Sequence, residues 1–477
     1  MGSNILKRVV LSLIVLIVAL VGGYFVVSYG KDTNVVPSVP ERKIIVGDMK
    51  ANMLSYHGAD LYYENVNLND VAKNNKTPIW LCSKAKILEN CKGYNDAFKN
   101  NMLNDYKVHF AMKANSNLSI LKLALQQNLG IDAVSIGEIQ KAKMAGFEYK
   151  DIVFSGVGKT KDDLTFVIKN EIGQINIESF EEIQMLIDIT NELKKTANVA
   201  IRINPDIKAH THEKISTGKK VNKFGIDAKK LDQAIDLIKT CEYLNLNGLS
   251  IHIGSQLTQL GDFEKAFSFV KAIYDKHPEF KTVDLGGGLG INYNNEEIIS
   301  KNDYVKLIAK YFADFKGKIM IEPGRSIVGD ACIFMTKIVR VKRTDSANFI
   351  IVDGGMNNLV RPAMYGAWHQ PMLTKRAIDK NVDSKNNVVK KYDIVGPICE
   401  SGDTFCKNVS ISDDIIEDDN CVVFMYAGAY GKSMSSNYNL HDIAMELMVD
   451  GDKVMQISKQ IGWNDLVKFE LNTSANE

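Results

Sequence analysis

The sequence has no excess of charge of either sign. Lys and Arg number 58, and Asp and Glu 57, in 477 residues. With that balance nothing argues for a nucleic-acid partner, and none is expected. There is no CxxC pair and no zinc-like spacing among the seven cysteines, so no metal centre is expected. An odd, unpatterned set reads as free thiols of a reducing compartment rather than as a disulfide framework. No dinucleotide fingerprint follows the first strong strand pattern. One stretch lacks charge altogether. Val9 to Gly30 is rich in Val, Leu and Ile, and a run of that length is expected to cross a bilayer as a helix. Residues 1–30 are therefore expected to form a single-pass membrane anchor, and 31–50, with Pro37 and Pro40, a linker. Lys7 and Arg8 favour an inside N-terminus, whereas the free thiols favour a folded part facing the cytoplasm.

The remaining chain is organised around Tyr106 to Asn117. Val108, Phe110 and Met112 alternate with other residues, which predicts a buried strand. It is expected to end at Lys113, and Asn115 or Asn117 can cap the helix that follows. A lysine there is either a snorkelling surface residue or a desolvated amine of lowered pKa, fit for nucleophilic or Schiff-base chemistry.

Eight strand candidates separated by helical segments run from here. They are Tyr106–Lys113, Gly130–Ser135, Asp151–Gly156, Gln174–Ser179, Asn198–Asn204, Leu246–Gly254, Lys281–Gly286 and Lys318–Glu322. The alternation predicts an α/β fold, a closed (β/α)8 TIM barrel over 78–328, with an open doubly wound sheet as the alternative. After residue 329, short β-rich runs such as Ile333–Lys342 and Cys421–Tyr426 predict a C-terminal, mostly β domain over 329–470. Residues 51–77 are expected to join it, and Ala377–Lys391 to be an exposed loop.

Polar groups gather where the barrel strands end. Lys113 ends the first strand, the second carries Asp132, and Glu178 and Arg202 end the fourth and fifth. His252 and Ser255 follow the sixth, Gly286-Gly287-Gly288 the seventh, and Glu322-Pro323-Gly324-Arg325 the eighth. Barrel active sites are built at this end, with phosphate often held after strand seven. A lysine nucleophile, a glycine cradle, a histidine to stack on a ring and a carboxylate for a ring nitrogen describe a site for pyridoxal 5'-phosphate (PLP).

Several segments in order carry a specific resemblance. They are His109–Asn115, Ile203–Asp206, Asn222–Gly225, His252–Ser255, Gly286–Gly288, Glu322–Arg325, Arg361-Pro362, Cys399-Glu400-Ser401-Gly402-Asp403 and Ala427–Gly431. Over roughly residues 75 to 465 the chain resembles the diaminopimelate decarboxylases, fold-type III PLP enzymes. The glutamate after Cys399 separates this group from the ornithine decarboxylases, the runner-up activity class. The resemblance implies decarboxylation of meso-diaminopimelate to L-lysine. It implies that Lys113 holds PLP covalently, His252 stacks on its ring and Glu322 pairs with its nitrogen. Ser255, Gly287, Gly288, Pro323, Gly324, Arg325 and Tyr430 would surround its phosphate. Arg325, Arg361, Tyr365, Glu400 and Tyr430 would bind substrate, with Cys399 as proton donor. It also implies a homodimer in which Cys399 and Glu400 serve the partner's site. The chain departs from the family where an Arg-Pro-Arg-Pro run usually follows Ser436–Asn439: here stand Leu440, His441, Asp442, Ile443 and Ala444.

Overall fold

The computed structural model describes residues 53–207, 223–294, 296–376, 389–412, 416 and 420–471. The first strands, β1 (Leu54–His57), β2 (Asp60–Tyr63) and β3 (Val66–Asn67), form a small antiparallel sheet. β4 (Ile79–Ser83) follows. The barrel comprises β5 (Tyr106–Ala111), β6 (Gly130–Ala133), β7 (Ile152–Phe154), β8 (Gln174–Ile177) and β9 (Ala197–Asn204). After a two-residue strand β10 (Ile226–Asp227), it continues with β11 (Leu244–Ser250), β12 (Thr282–Asp284) and β13 (Lys318–Ile321). Every neighbouring pair around the barrel is parallel, and β13 pairs with β5 to close it. All eight expected strands are present, and the open-sheet alternative is excluded by that closure.

The strands form because apolar residues fill both of their faces. Val108, Phe110, Ile131, Ile175, Ile177, Val199, Ile201, Val283 and Ile321 are buried in one continuous core with the inner faces of the surrounding helices. Strands covered on both sides read as such near-continuous apolar runs. The helices start where short polar side chains accept backbone N–H groups. Asn117, not Asn115, caps the helix Leu118–Gln126, accepting from Ser119 N at 2.9 Å. Ser135 and Ser179 do the same for the helices Ile136–Ala145 and Phe180–Leu193. Each such cap contributes about 1 kcal/mol. These two strand-end serines therefore serve the fold.

The second body is β-rich: β14 (Cys332–Arg343), β15 (Asn348–Val352), β16 (Pro371–Leu373), β17 (Val389–Val395), β18 (Thr404–Ser412), β19 (Cys421–Phe424), β20 (Met445–Asp450) and β21 (Lys453–Ser458). Its long sheet runs β18-β17-β15-β14-β4-β20-β21, with β19 also on β14. β4 thus lies between β14 and β20 in this sheet, although it falls at the start of the stretch expected to be barrel. The β1–β3 sheet packs here too: Leu61, Tyr63 and Val66 share a core with Ile333, Val423 and Leu447. The Tyr63 hydroxyl donates to Ala331 O at 2.8 Å. Chain continuity misassigns β4, because a strand's partners can lie hundreds of residues away.

Three expectations are corrected. Among the described residues no helix is long and apolar enough to cross a membrane. The longest helix described among them, Lys84–Asn100, has 17 residues and carries lysines and a glutamate. The transmembrane helix, the membrane-anchored localisation and the cytoplasmic facing read from it are therefore withdrawn. The run Val9–Gly30 and the linker 31–50 lie outside the described residues. Second, the cysteines are not all free. Cys82 and Cys332 form a disulfide, because antiparallel β4 and β14 set them directly opposite one another. A separation of 250 residues hides that pairing in the sequence. Cys91, Cys241, Cys399, Cys406 and Cys421 remain as thiols. Third, Val389–Lys391 begins β17 instead of ending a loop; residues 377–388 lie outside the described residues.

Candidate active site

β5 ends at Ala111, and Lys113 follows in a single tight turn, Met112–Ala114. Its ammonium lies 3.0 Å from Asp132 Oδ2. Asp132, on the adjacent β6, is fully buried, and its other oxygen has no hydrogen-bond partner. Burial works against the charge on Lys113, but Asp132, Tyr430 and Glu322 outweigh it and hold its pKa above the ordinary lysine value. Of the two readings of Lys113, the desolvated amine of lowered pKa is replaced by an ammonium paired with a carboxylate, because the neighbouring negative charge exceeds the penalty of burial.

Glu322 follows β13 and is buried, with Oε1 unpartnered. Its carboxyl shares a hydrogen bond with that of Asp284 on β12. Burial, with the carboxylates of Asp132 and Asp284 beside it, pushes its pKa well above the usual range. Asp284 is itself raised by burial; it accepts from Gly286 N at 3.0 Å and from Asn176 Nδ2 and Ser250 Oγ at 3.2 Å each. Three buried carboxyl groups with a single nearby ammonium make a place that favours another cation. An unpartnered carboxylate oxygen there suits a protonated ring nitrogen.

The wall after β11 and β12 is made by backbone. Gly287 N–H donates to His252 Nδ1 at 3.2 Å, which makes that nitrogen an acceptor. Burial, Lys113 and Arg202 push the pKa of His252 well below the ordinary value, so its ring is neutral and able to stack. A Cβ on Gly287 would meet Glu322 O at 2.3 Å, and Gly288 has φ +124° with Gly254 O 2.8 Å from a Cβ position. Only glycine fits either position. Pro323 and Gly324 press on the end of β5: Ala111 N donates to Pro323 O at 3.1 Å.

Arg325 and Arg361 are both buried. Arg325 donates to Ser255 Oγ (3.3 and 3.2 Å) and to the Tyr293 hydroxyl at 2.6 Å, with the Tyr430 ring 5.0 Å from its guanidinium. Arg361 bonds His369 at 2.8 Å. Tyr365, four residues on in the same short helix, is half-buried within electrostatic range of both arginines. Neither arginine has an acidic partner among the described residues, so this side of the site favours anions. Tyr430 comes from the β domain. Its N–H donates to Ala114 O at 2.9 Å, and Ser433 Oγ donates to the same oxygen at 3.2 Å. The Ala427–Gly431 loop is thus anchored to the turn that carries Lys113. Glu178 and Arg202, read as strand-end polar groups, pair with one another at 2.7 Å.

Cys399 and Glu400 stand apart. Both are exposed, on a loop built around buried Asp403, which accepts from Met356 N at 2.6 Å and Ile398 N at 2.7 Å. Cys399 N–H donates to Asn439 Oδ1 at 2.8 Å, and Glu400 bonds the Tyr438 side chain. Among the described residues neither is hydrogen-bonded to a barrel residue. The structure thus brings together Lys113, His252, Ser255, Glu322, Arg325, Arg361, Tyr365 and Tyr430, and leaves Cys399 and Glu400 outside that cluster. Sequence reasoning passed over Asp284, Tyr293 and His369. Asp284, just before the glycine run, carried a signal in its position; His369, amid Trp368 and Gln370, carried none.

Two features of these residues fit PLP: the unpartnered oxygen of Glu322, and a glycine wall together with arginines that have no acidic partner among the described residues. Comparison with known proteins agrees. Residues 84–329 match the pyridoxal-binding domain of the pyridoxal-dependent decarboxylases. A diaminopimelate decarboxylase of Zymomonas mobilis is 37% identical over 422 residues, covering 87% of this chain and 98% of that enzyme. The crystal structure of Helicobacter pylori diaminopimelate decarboxylase complexed with L-lysine is 36% identical. It superposes with a TM-score of 0.77 over 85% of this chain and 99% of that one. That of the M. jannaschii enzyme in complex with L-lysine gives 0.81 at 31% identity, covering 89% of this chain and 99% of that one. With likeness of this depth across both bodies of the fold, the chain belongs to the diaminopimelate decarboxylase family.

Proposed function

We propose that the barrel mouth and the Cys399 loop are two halves of one site, and that a second copy of the chain supplies the second half. The reaction is the PLP-dependent decarboxylation of meso-2,6-diaminopimelate to L-lysine and CO2, the last step of lysine biosynthesis. PLP, when bound, supplies the sink for the electron pair that the departing CO2 leaves behind. Lys113 would hold it covalently, with Asp132 Oδ2 placed to take the proton that Nζ must lose first. Glu322 would pair with its ring nitrogen, and the neutral ring of His252 would stack on it. Ser255, Gly287, Gly288, Gly324, Arg325 and Tyr430 would hold its phosphate, with the Pro323 carbonyl fixing that loop to β5. Arg325, Arg361, Tyr365 and Tyr430 bind substrate, chiefly its carboxylate. From the partner copy, Glu400 takes the distal ammonium, and Cys399 delivers a proton from Sγ to the carbon that has lost CO2.

One observation carries the two-chain reading: Cys399 and Glu400 are exposed, and neither is hydrogen-bonded to the barrel mouth of its own chain. In a two-fold dimer, residues of one copy can complete the site of the other. The test mixes two inactive chains, Lys113→Ala and Cys399→Ala. After subunit exchange at equal amounts, half the dimers are mixed and each has one intact site. Activity should recover to about a quarter of wild type. No recovery after verified exchange overturns the shared site.

A further inference from the structure

Among the described residues Arg325 and Arg361 are held without a carboxylate to neutralise them. A buried arginine is ordinarily paired with a carboxylate, yet the groups that orient these two are a phenol, a hydroxyl and an imidazole. Tyr293 is buried (8% exposed) and His369 almost completely so (1%). The Tyr293 hydroxyl accepts from Arg325 Nη1 at 2.6 Å, while its ring lies under the guanidinium of Arg361, 5.1 Å from ring centre to carbon. The one side chain therefore touches both cations and sets their spacing. His369 aims Arg361. Its Nδ1 lies 2.9 Å from Met425 O, which can only accept, so Nδ1 carries the proton. That leaves Nε2 as a lone pair facing Arg361 Nη1 at 2.8 Å. Burial and the charge of Arg361 push the His369 pKa down to about 3, so this tautomer persists. The rings of His369 and Tyr293 meet edge to face at 5.7 Å.

We infer that Tyr293 and His369 are positioning residues that aim Arg325 and Arg361 at a ligand carboxylate while leaving both cations unneutralised. Neutral acceptors are what this task requires. An acidic side chain in either place would orient the arginine equally well, but the ligand would then have to displace it. The inference rests on the assignment of the arginines to substrate carboxylate.

The test compares two competitive inhibitors of the holoenzyme, L-lysine and 1,5-diaminopentane, which is lysine without its carboxylate. In Tyr293→Phe and in His369→Phe, L-lysine should bind about fivefold or more weakly, with the KM of diaminopimelate rising by a similar factor and kcat changing less. Inhibition by the diamine should stay within about twofold, and the visible absorbance of bound PLP should be unchanged. Equal weakening of both inhibitors, or none of L-lysine, overturns the inference. Should His369→Phe fail to fold, the isosteric Tyr293→Phe decides alone. Arg361→Gln separates the two layers. If it weakens L-lysine selectively while Tyr293→Phe does not, the positioning role is wrong and the carboxylate assignment stands. If it leaves L-lysine unaffected, the carboxylate assignment itself falls.

Discussion

The barrel mouth and the Cys399 loop are built by opposite means. At the mouth, ionisable groups are buried, or half-buried in the case of Lys113, and constrain one another: Lys113 against Asp132, Glu322 against Asp284, Arg325 against Tyr293. Rigid strand ends fix each of them, and burial makes each unpaired atom costly. On the loop, Cys399 and Glu400 face solvent, and their support comes from Asp403 beneath and Tyr438 and Asn439 beside them. Water competes for every exposed bond there, so each contributes less. A group that must meet a second chain has to be exposed in the isolated one. A group that must hold a charged cofactor out of water has to be buried. On the proposed two-chain reading, the two designs follow from those two demands. They also predict graded consequences of damage, large at the mouth and progressively smaller toward the loop's supports.

The largest effect is expected from Lys113→Ala. An amine is required to bond the cofactor covalently, and among the described residues no other lysine is paired with Asp132. The variant should lose all measurable turnover together with the visible absorbance of bound PLP. A full borohydride-trapped adduct in the mutant would remove Lys113 from its role. The loop half should be untouched, so the variant should still complement Cys399→Ala as described above.

Glu400→Gln comes next. A site built to bind a second ammonium is left with an unsatisfied partner when the charge goes. On the proposed two-chain site, exposure in the single chain does not reduce this, because the group would be buried only when the partner's site closes over it. kcat/KM for diaminopimelate should fall at least about tenfold, about 1.4 kcal/mol, with PLP absorbance unchanged. An unaltered kcat/KM would mean that the loop does not read the distal amine, and the contrast between the halves would lose its functional meaning.

The same division governs what can be read from the residues alone. The eight barrel strands are legible because burial on both faces writes apolar runs, and strand ends place Lys113, His252 and Glu322 where chemistry belongs. β4 is illegible as part of the β sheet, since its pairing with β14 and β20 spans hundreds of residues and leaves no local pattern. The Cys82–Cys332 bond is hidden for the same reason. Asp284 is a buried acid at the end of its strand, legible only from its place just before the glycine run and not from period-2 alternation. His369 is invisible, because its function depends on a tautomer fixed by a carbonyl from a distant strand. Cys399 and Glu400 sit on a loop with no periodicity, and only the resemblance marked them. The membrane expectation failed differently: it took hydropathy over residues 9–30 as architecture, and no helix among the described residues supports it.

The smallest expected effect tests the loop's support and involves the segment where the chain departs from its family. Asn439 and Leu440 both have left-handed backbone, φ +54° and +59°. Asparagine tolerates that region better than most residues; leucine does not. Asn439 Oδ1 accepts the Cys399 N–H at 2.8 Å. Next to it, Asp442 ties the departing segment down, accepting from Lys76 Nζ at 3.0 Å and from Gln460 Nε2 at 2.9 Å. Removing the Asn439 side chain loosens the backbone that presents the thiol, but water can replace an exposed acceptor. The loss should therefore be about 1 kcal/mol, roughly fivefold in kcat. Asn439→Gly separates the two contributions, because glycine keeps the left-handed backbone and lacks the acceptor. If the hydrogen bond matters, Asn439→Gly and Asn439→Ala should slow turnover alike. If only the backbone matters, glycine should be close to wild type and alanine slow. PLP absorbance should be unaffected in both, since the barrel mouth does not depend on this bond. A loss of PLP in either variant would show that the two halves are coupled through the fold, and would break the separation between them.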